Sequence, residues 1–113
     1  MKRELRSELH VVWLHCEVKT PPFSWKARLE AGEWLRRLQR KQHLTMPQSR
    51  AMPAIGPRCH ELRVQDAQVS WRIVYRIDID AIIVVAVFRK STQQTPQHVI
   101  DTCRRRLKAY DQL

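Results

Sequence analysis

Charged side chains gather in the second half of this chain with a spacing that suits anion chemistry. Val69, Trp71, Ile73, Tyr75 and Ile77 alternate with Ser70, Arg72, Val74 and Arg76, so a strand here presents Arg72 and Arg76 on one face. The segment before it repeats the arrangement, with His60, Leu62 and Val64 one way and Cys59, Glu61 and Arg63 the other. Paired as an antiparallel hairpin, the two strands set Arg63, Arg72 and Arg76 on one sheet face with Glu61 among them. A connection carrying Arg89 and Lys90 lies next to it. Arginine offers phosphate a planar two-pronged fork and lysine a point charge, so the matching chemistry is recognition of a phosphodiester backbone. Any solvated strand face also carries arginines, and alternation by itself leaves both readings open.

Other familiar chemistry is missing. The chain has no phosphate-cradling glycine-rich loop, no HExxH and no GxSxG. Its histidines, His10, His15, His43, His60 and His98, are scattered. His60 falls on the apolar face of its strand, as a packed and hydrogen-bonded imidazole does. Asp78 and Asp80 sit in a tight turn, where aspartate serves local hydrogen bonding. Cys16, Cys59 and Cys103 form no CxxC pair, which argues against a disulfide framework or a zinc site and for bland thiols in a reducing compartment. No metal and no cofactor is expected.

The elements that position the charges follow from composition and period. The chain has 113 residues, with 21 Lys and Arg against 11 Asp and Glu, a net charge of +10. That length implies a single domain over 1–113, and that charge draws polyanions or an acidic protein. A hydrophobic content of 43%, with four Trp and two Gly, excludes disorder and low-complexity linkers. The apolar stretch Val11 to Leu14 is too short for a signal peptide or a membrane span, so the expected location is the cytoplasm.

Along the chain, Val12, Leu14, Cys16 and Val18 alternate within a strand over Leu9–Val18. Pro21 and Pro22 end it, and Ser24 can cap a helix that runs to about Gln42. In that helix Ala27, Ala31, Trp34, Leu35 and Leu38 share one face. From Leu44 to Arg58 no period holds, an uncommon length for a connection in a compact domain. Three strands then follow, Cys59–Val64, Val69–Ile77 and Ala81–Phe88. The last is apolar throughout, as an inner strand buried on both faces is. Thr95 can cap, and Pro96 open, a closing helix with Ile100, Cys103, Leu107 and Tyr110 on one side. The expected fold is α+β, a small twisted antiparallel sheet of about four strands with helices on one face.

Gly56-Pro57-Arg58-Cys59-His60-Glu61-Leu62-Arg63, Trp71-Arg72-Ile73-Val74-Tyr75-Arg76, and Phe88-Arg89-Lys90-Ser91-Thr92 with Thr95-Pro96 stand in a characteristic order. In that order the chain resembles the phage-derived, HigB-like host-killing branch of the RelE/ParE toxin superfamily. With the preceding strand and helix, the resemblance covers nearly the whole chain. It implies a RelE/ParE-like fold and the toxin of a type II toxin–antitoxin system. The implied activity is metal-independent, ribosome-dependent cleavage of mRNA by attack of the ribose 2′-hydroxyl on the adjacent phosphate. The implied partners are mRNA, the ribosome and a cognate antitoxin, commonly of helix-turn-helix type, in a hetero-oligomeric complex, with no membrane.

Carried over residue by residue, the resemblance assigns Arg63 and Arg72 to stabilising the phosphorane and Lys90 to proton transfer. Glu61 orients Arg72 or acts as a base. His98 is the candidate near the last helix for protonating the leaving group or stacking on a base, with Tyr110 a more distant one. Arg76 and Arg89 complete the expected nucleic-acid contacts. Ser91 stands where the family usually has a second lysine. Two alternatives follow: a ParE-like toxin acting on DNA gyrase without nuclease activity, and an RNA- or ribosome-binding module with impaired catalysis.

Overall fold

The structure, a computed structural model, describes residues 8–14, 22–91 and 93–113. Within them the order is β1 (His10–Trp13), α1 (Trp25–Gln39), β2 (Ser49–Ala51), β3 (Cys59–Asp66), β4 (Val69–Ile77), β5 (Ala81–Lys90) and α2 (Gln97–Asp111). The fold is α+β. Of the expected first strand, β1 is described, while Cys16 and Val18 lie outside the described residues, as do His15, Pro21 and Thr92.

Helix α1 begins where Ser24 Oγ accepts from the Ala27 amide at 3.1 Å, meeting one of the donors that a first turn leaves open. It buries Ala27, Ala31, Leu35 and Leu38. Trp34, on the margin of that stripe, is only partly buried and lies under the Arg37 guanidinium at 4.8 Å.

The sheet runs β1-β5-β4-β3-β2. The pairs β2–β3, β3–β4 and β4–β5 are antiparallel, while β1 lies parallel to β5 with His10 opposite Ala81. Five strands therefore stand where about four were expected, and the sheet is mixed. The added strand, β2, forms inside the connection that shows no period. There it pairs with backbone groups that β3 would otherwise leave open along its edge.

The helices also differ from expectation in taking opposite faces. Trp71, Ile73 and Tyr75 of β4 pack with the buried side chains of α1. Val74 packs instead with Ile83, Val85 and Ala86 of β5 and with Ile100, Cys103 and Leu107 of α2. A strand as apolar as β5 needs cover on both faces, and α2 supplies the second. Burying Ile100 and Leu107 there contributes about 1.5–3 kcal/mol each. Val74 pairs with Ala86 but Tyr75 with Val84, so Val85 is the extra residue of a bulge. The Val85 carbonyl accepts from Arg106 Nη1 at 2.8 Å. One arginine of the Arg104-Arg105-Arg106 run is thus a fastening between α2 and β5.

Helix α2 runs from the level of Glu61, which Thr95 touches, to the level of Arg76, which Asp111 holds. The sheet face beyond Glu61 is left without a helix, and its residues Arg50, Arg63, Arg72, Phe88 and Lys90 are all partly exposed.

Candidate nucleic-acid interface

On that uncovered area four strands bring four cations around one carboxylate. The register sets Arg50 opposite Glu61, Arg63 opposite Arg72, and Lys90 opposite Ser70. Strand alternation then places Arg50, Glu61, Arg63, Arg72 and Lys90 on the same face as α2. Like charges directly opposed across a hairpin destabilise it, so the Arg63–Arg72 pair depends on the negative charge beside it.

Glu61 supplies that charge from a fully buried position, with 0% exposure. Its Oε2 accepts from Thr95 Oγ1 at 2.7 Å. Its Oε1 lies 3.5 Å from Arg72 Nε and 3.8 Å from Arg50 Nη2. A carboxylate enclosed in this way orients guanidinium groups rather than meeting a substrate. Arg72 also donates from Nη1 to the Trp71 carbonyl at 3.1 Å. Burial pushes the Arg72 guanidinium below its ordinary value; Glu61 opposes that shift, and Arg63 and Arg50 add to it. Lys90 is pushed the same way, first by desolvation, with Glu61 opposing and Arg72, Arg50 and Arg63 reinforcing. Its ammonium therefore gives up a proton more readily than a surface lysine does.

The Nε atoms of Arg50, Arg63 and Arg72 and Glu61 Oε1 are buried without a hydrogen-bond partner among the described residues. Buried polar groups are nearly always paired, so four exceptions in one place set this area apart. The Arg63 side chain makes no hydrogen bond or ion pair among the described residues, which leaves its outer fork open to an external acceptor. A hollow of about 270 Å³ at the sheet edge is lined by Arg63 and Arg72 with Pro47, Gln48 and Gln65, and by one carboxylate, Glu30 of α1. The arrangement can grip a phosphate with several guanidinium donors and exchange a proton beside it.

Residues 22–108 match the family described as phage-derived protein Gp49-like (DUF891). The chain belongs to that family. It is a toxin-like family of toxin–antitoxin systems. No curated protein and no solved structure matches the chain. The matched span contains every member of the cation cluster in this Gp49-like protein and leaves β1 outside.

Several residues singled out in the sequence stand away from the cluster of the Gp49-like protein. Arg76 shares the face but lies beneath the end of α2. Its Nε and Nη2 donate to Asp78 at 2.7 and 2.8 Å, and its Nη1 and Nη2 to Asp111 at 3.0 and 2.8 Å. Hydrogen bonds from Asp111 and then Asp78 raise its pKa further, and no fork remains for phosphate. Tyr110 belongs to this same end, its ring centroid 6.0 Å from the Arg76 guanidinium. That is about 20 Å along α2 from Thr95. Arg89 stands opposite Trp71 and emerges on the α1 side. His98 is exposed in the first turn of α2, its carbonyl accepting from Thr102 at 2.8 Å. No contact joins its ring to the cluster among the described residues.

Two members of the Gp49-like site carry no clear sequence signal. Arg50 sits in the segment without a period, where only strand pairing across to Glu61 reveals its direction. Thr95 reads as a helix cap, but the cap position is Pro96, with no side-chain bond, and the Thr95 hydroxyl serves Glu61 instead. His60 is hydrogen-bonded to the Arg58 carbonyl at 3.2 Å and stacks on Tyr75. Among the described residues no three metal-ligating side chains come together, and no helix is long and apolar enough to cross a membrane.

Proposed function

We propose that this Gp49-like protein is the toxin of a type II toxin–antitoxin pair of the RelE/ParE kind, which cuts mRNA on the translating ribosome and is neutralised by a protein antitoxin. The observation that carries this reading is the cluster of Arg50, Arg63, Arg72 and Lys90 about the buried Glu61, on a face that α2 leaves open.

The ribose 2′-oxygen attacks the adjacent phosphorus, forming the O2′–P bond and a phosphorane with added negative charge. The P–O5′ bond then breaks. Arg72, held by Glu61 and the Trp71 carbonyl before the substrate arrives, and Arg63, with its outer fork open, stabilise the phosphorane more than the diester. Lys90 as its neutral amine takes the 2′-hydroxyl proton and as its ammonium returns it to the departing 5′-oxygen. The products are a 2′,3′-cyclic phosphate and a 5′-hydroxyl. Glu61 acts through Arg72 and Arg50 as a positioning residue. Ser91 directly after β5 adds no second ammonium, so proton transfer rests on Lys90.

Induction of the wild-type chain in a bacterial culture stops translation and growth. Arg72→Ala combined with Lys90→Ala restores both while the protein stays folded by circular dichroism. Growth arrest by the folded double variant overturns the assignment of the site.

A further inference from the structure

A concavity lies at the other end of α2 from the cation cluster, about 20 Å away along the helix. It measures about 500 Å³ and is walled by the segment Ile55–Cys59 on one side and the end of α2 on the other. Ile55, Pro57, Cys59 and Leu107 make an apolar floor, and the charged lining is Arg58, Arg76, Arg104, Lys108 and Asp111. Arg76 and Asp111 neutralise each other through two hydrogen bonds, at 3.0 and 2.8 Å. The rim cations left to face an incoming ligand are therefore Arg104 and Lys108, with Arg58 beside them already paired to Asp78 at 3.5 Å.

Arg104 and Lys108 stand one turn apart on the same helix face, both exposed, and no ion pair reaches either among the described residues. The macrodipole favours cations at a helix C-terminus, which accounts for Lys108 in the last turn of α2 but not for Arg104 or Arg58. Arg58 comes from the facing segment and holds a left-handed backbone, φ 64, rare for a residue with a side chain. Its Nε donates to the Ile77 carbonyl at 3.0 Å and its Nη2 to Asp78 Oδ1 at 3.5 Å, fixing the guanidinium at the groove.

We infer that this groove docks an acidic, apolar-anchored segment of a protein partner. Charge complementarity selects the occupant: the unpaired cations Arg104 and Lys108 meet carboxylates while the floor receives an apolar side chain. Nucleic acid fits less well, because no aromatic ring lines the groove to stack a base and the floor offers phosphates no donor. The inference stands apart from the nuclease reading, since it uses none of the cluster residues.

The test uses the full chain, isotopically labelled, titrated with a short synthetic peptide of alternating Glu and Leu, with its Lys and Leu counterpart, and with oligouridine. The acidic peptide shifts the amide signals of Gly56, Arg58 and Lys108. Arg104→Glu with Lys108→Glu weakens that binding about tenfold or more, while Arg63→Ala leaves it unchanged. Both charge reversals sit on an exposed helix face, and thermal unfolding checks that the variant is folded. Failure of the acidic peptide to move those signals, an unchanged affinity in the double reversal, or tighter binding of oligouridine at the same amides overturns the inference.

Discussion

Thr95 Oγ1 donates to Glu61 Oε2 at 2.7 Å, which ties the residue before the helix cap to the carboxylate that the cations surround. Both residues are buried, so the bond holds the position of α2 and the aim of Arg72 together. Thr95→Val removes the donor and keeps the shape. It lowers stability by about 1.5–3 kcal/mol, the range for a hydrogen bond to a charged group, and lowers cleavage with it. Thr95→Ser restores both. Urea unfolding and a cleavage assay on the three proteins check this.

The lowered pKa of Lys90 gives a pH test. Its value is depressed from the ordinary 10.5, so the neutral amine accumulates, and cleavage rises, at lower pH than an ordinary lysine allows. Arg63 contributes to the depression and Glu61 opposes it. Arg63→Gln therefore moves the rising limb of the pH–rate profile upward, and Glu61→Gln moves it downward. Lys90→Ala removes the limb. Rates measured in buffers across the alkaline range read these midpoints apart from any change in maximal rate.

The Arg76 clasp predicts an acid-sensitive helix end. Hydrogen bonds from Arg76 hold the Asp111 carboxyl below its ordinary value of 3.8. A carboxyl depressed in the folded state gives its full stabilisation above the unfolded value and loses it as pH falls through the folded one. The melting temperature of the wild type thus falls as the pH drops through this acid range. Asp111→Asn lacks that part of the decline and is less stable at neutral pH, with a melting temperature that changes less with acid.

Arg63 and Arg89 separate the two sheet faces. Arg63 carries an open guanidinium fork on the cluster side, whereas Arg89 emerges on the α1 side opposite Trp71. For a single-stranded RNA, each phosphate contact contributes about 0.7 to the slope of log affinity against log salt concentration. Arg63→Ala lowers that slope by about this amount, and Arg89→Ala leaves it unchanged. Filter binding at several salt concentrations measures both.

Much of this arrangement is legible in the chain because strand alternation is a local property. The opposition of Arg63 to Arg72, and of Glu61 to the same face, follows from the period-two pattern on each side of the short turn at Ala67-Gln68. Ser24 as the cap of α1 is equally local. The parts that escaped depend on distant partners. Arg76 has the same alternation as Arg72, but its clasp is completed by Asp111, 35 residues later. The bulge at Val85 lies in an unbroken apolar run, where no residue type marks the extra position. β1 pairs parallel to β5, a long-range choice that its few residues do not encode. Arg50 gains its direction from pairing with β3 and not from its neighbours.

The most direct measurement is the chemistry of the RNA ends left after the protein acts on a translated message. New fragments with 2′,3′-cyclic phosphate and 5′-hydroxyl termini are expected with the wild type and not with the folded Arg72→Ala, Lys90→Ala variant. Intact transcripts in cells whose growth the wild-type protein has stopped, or equal cutting by the double variant, contradict that expectation.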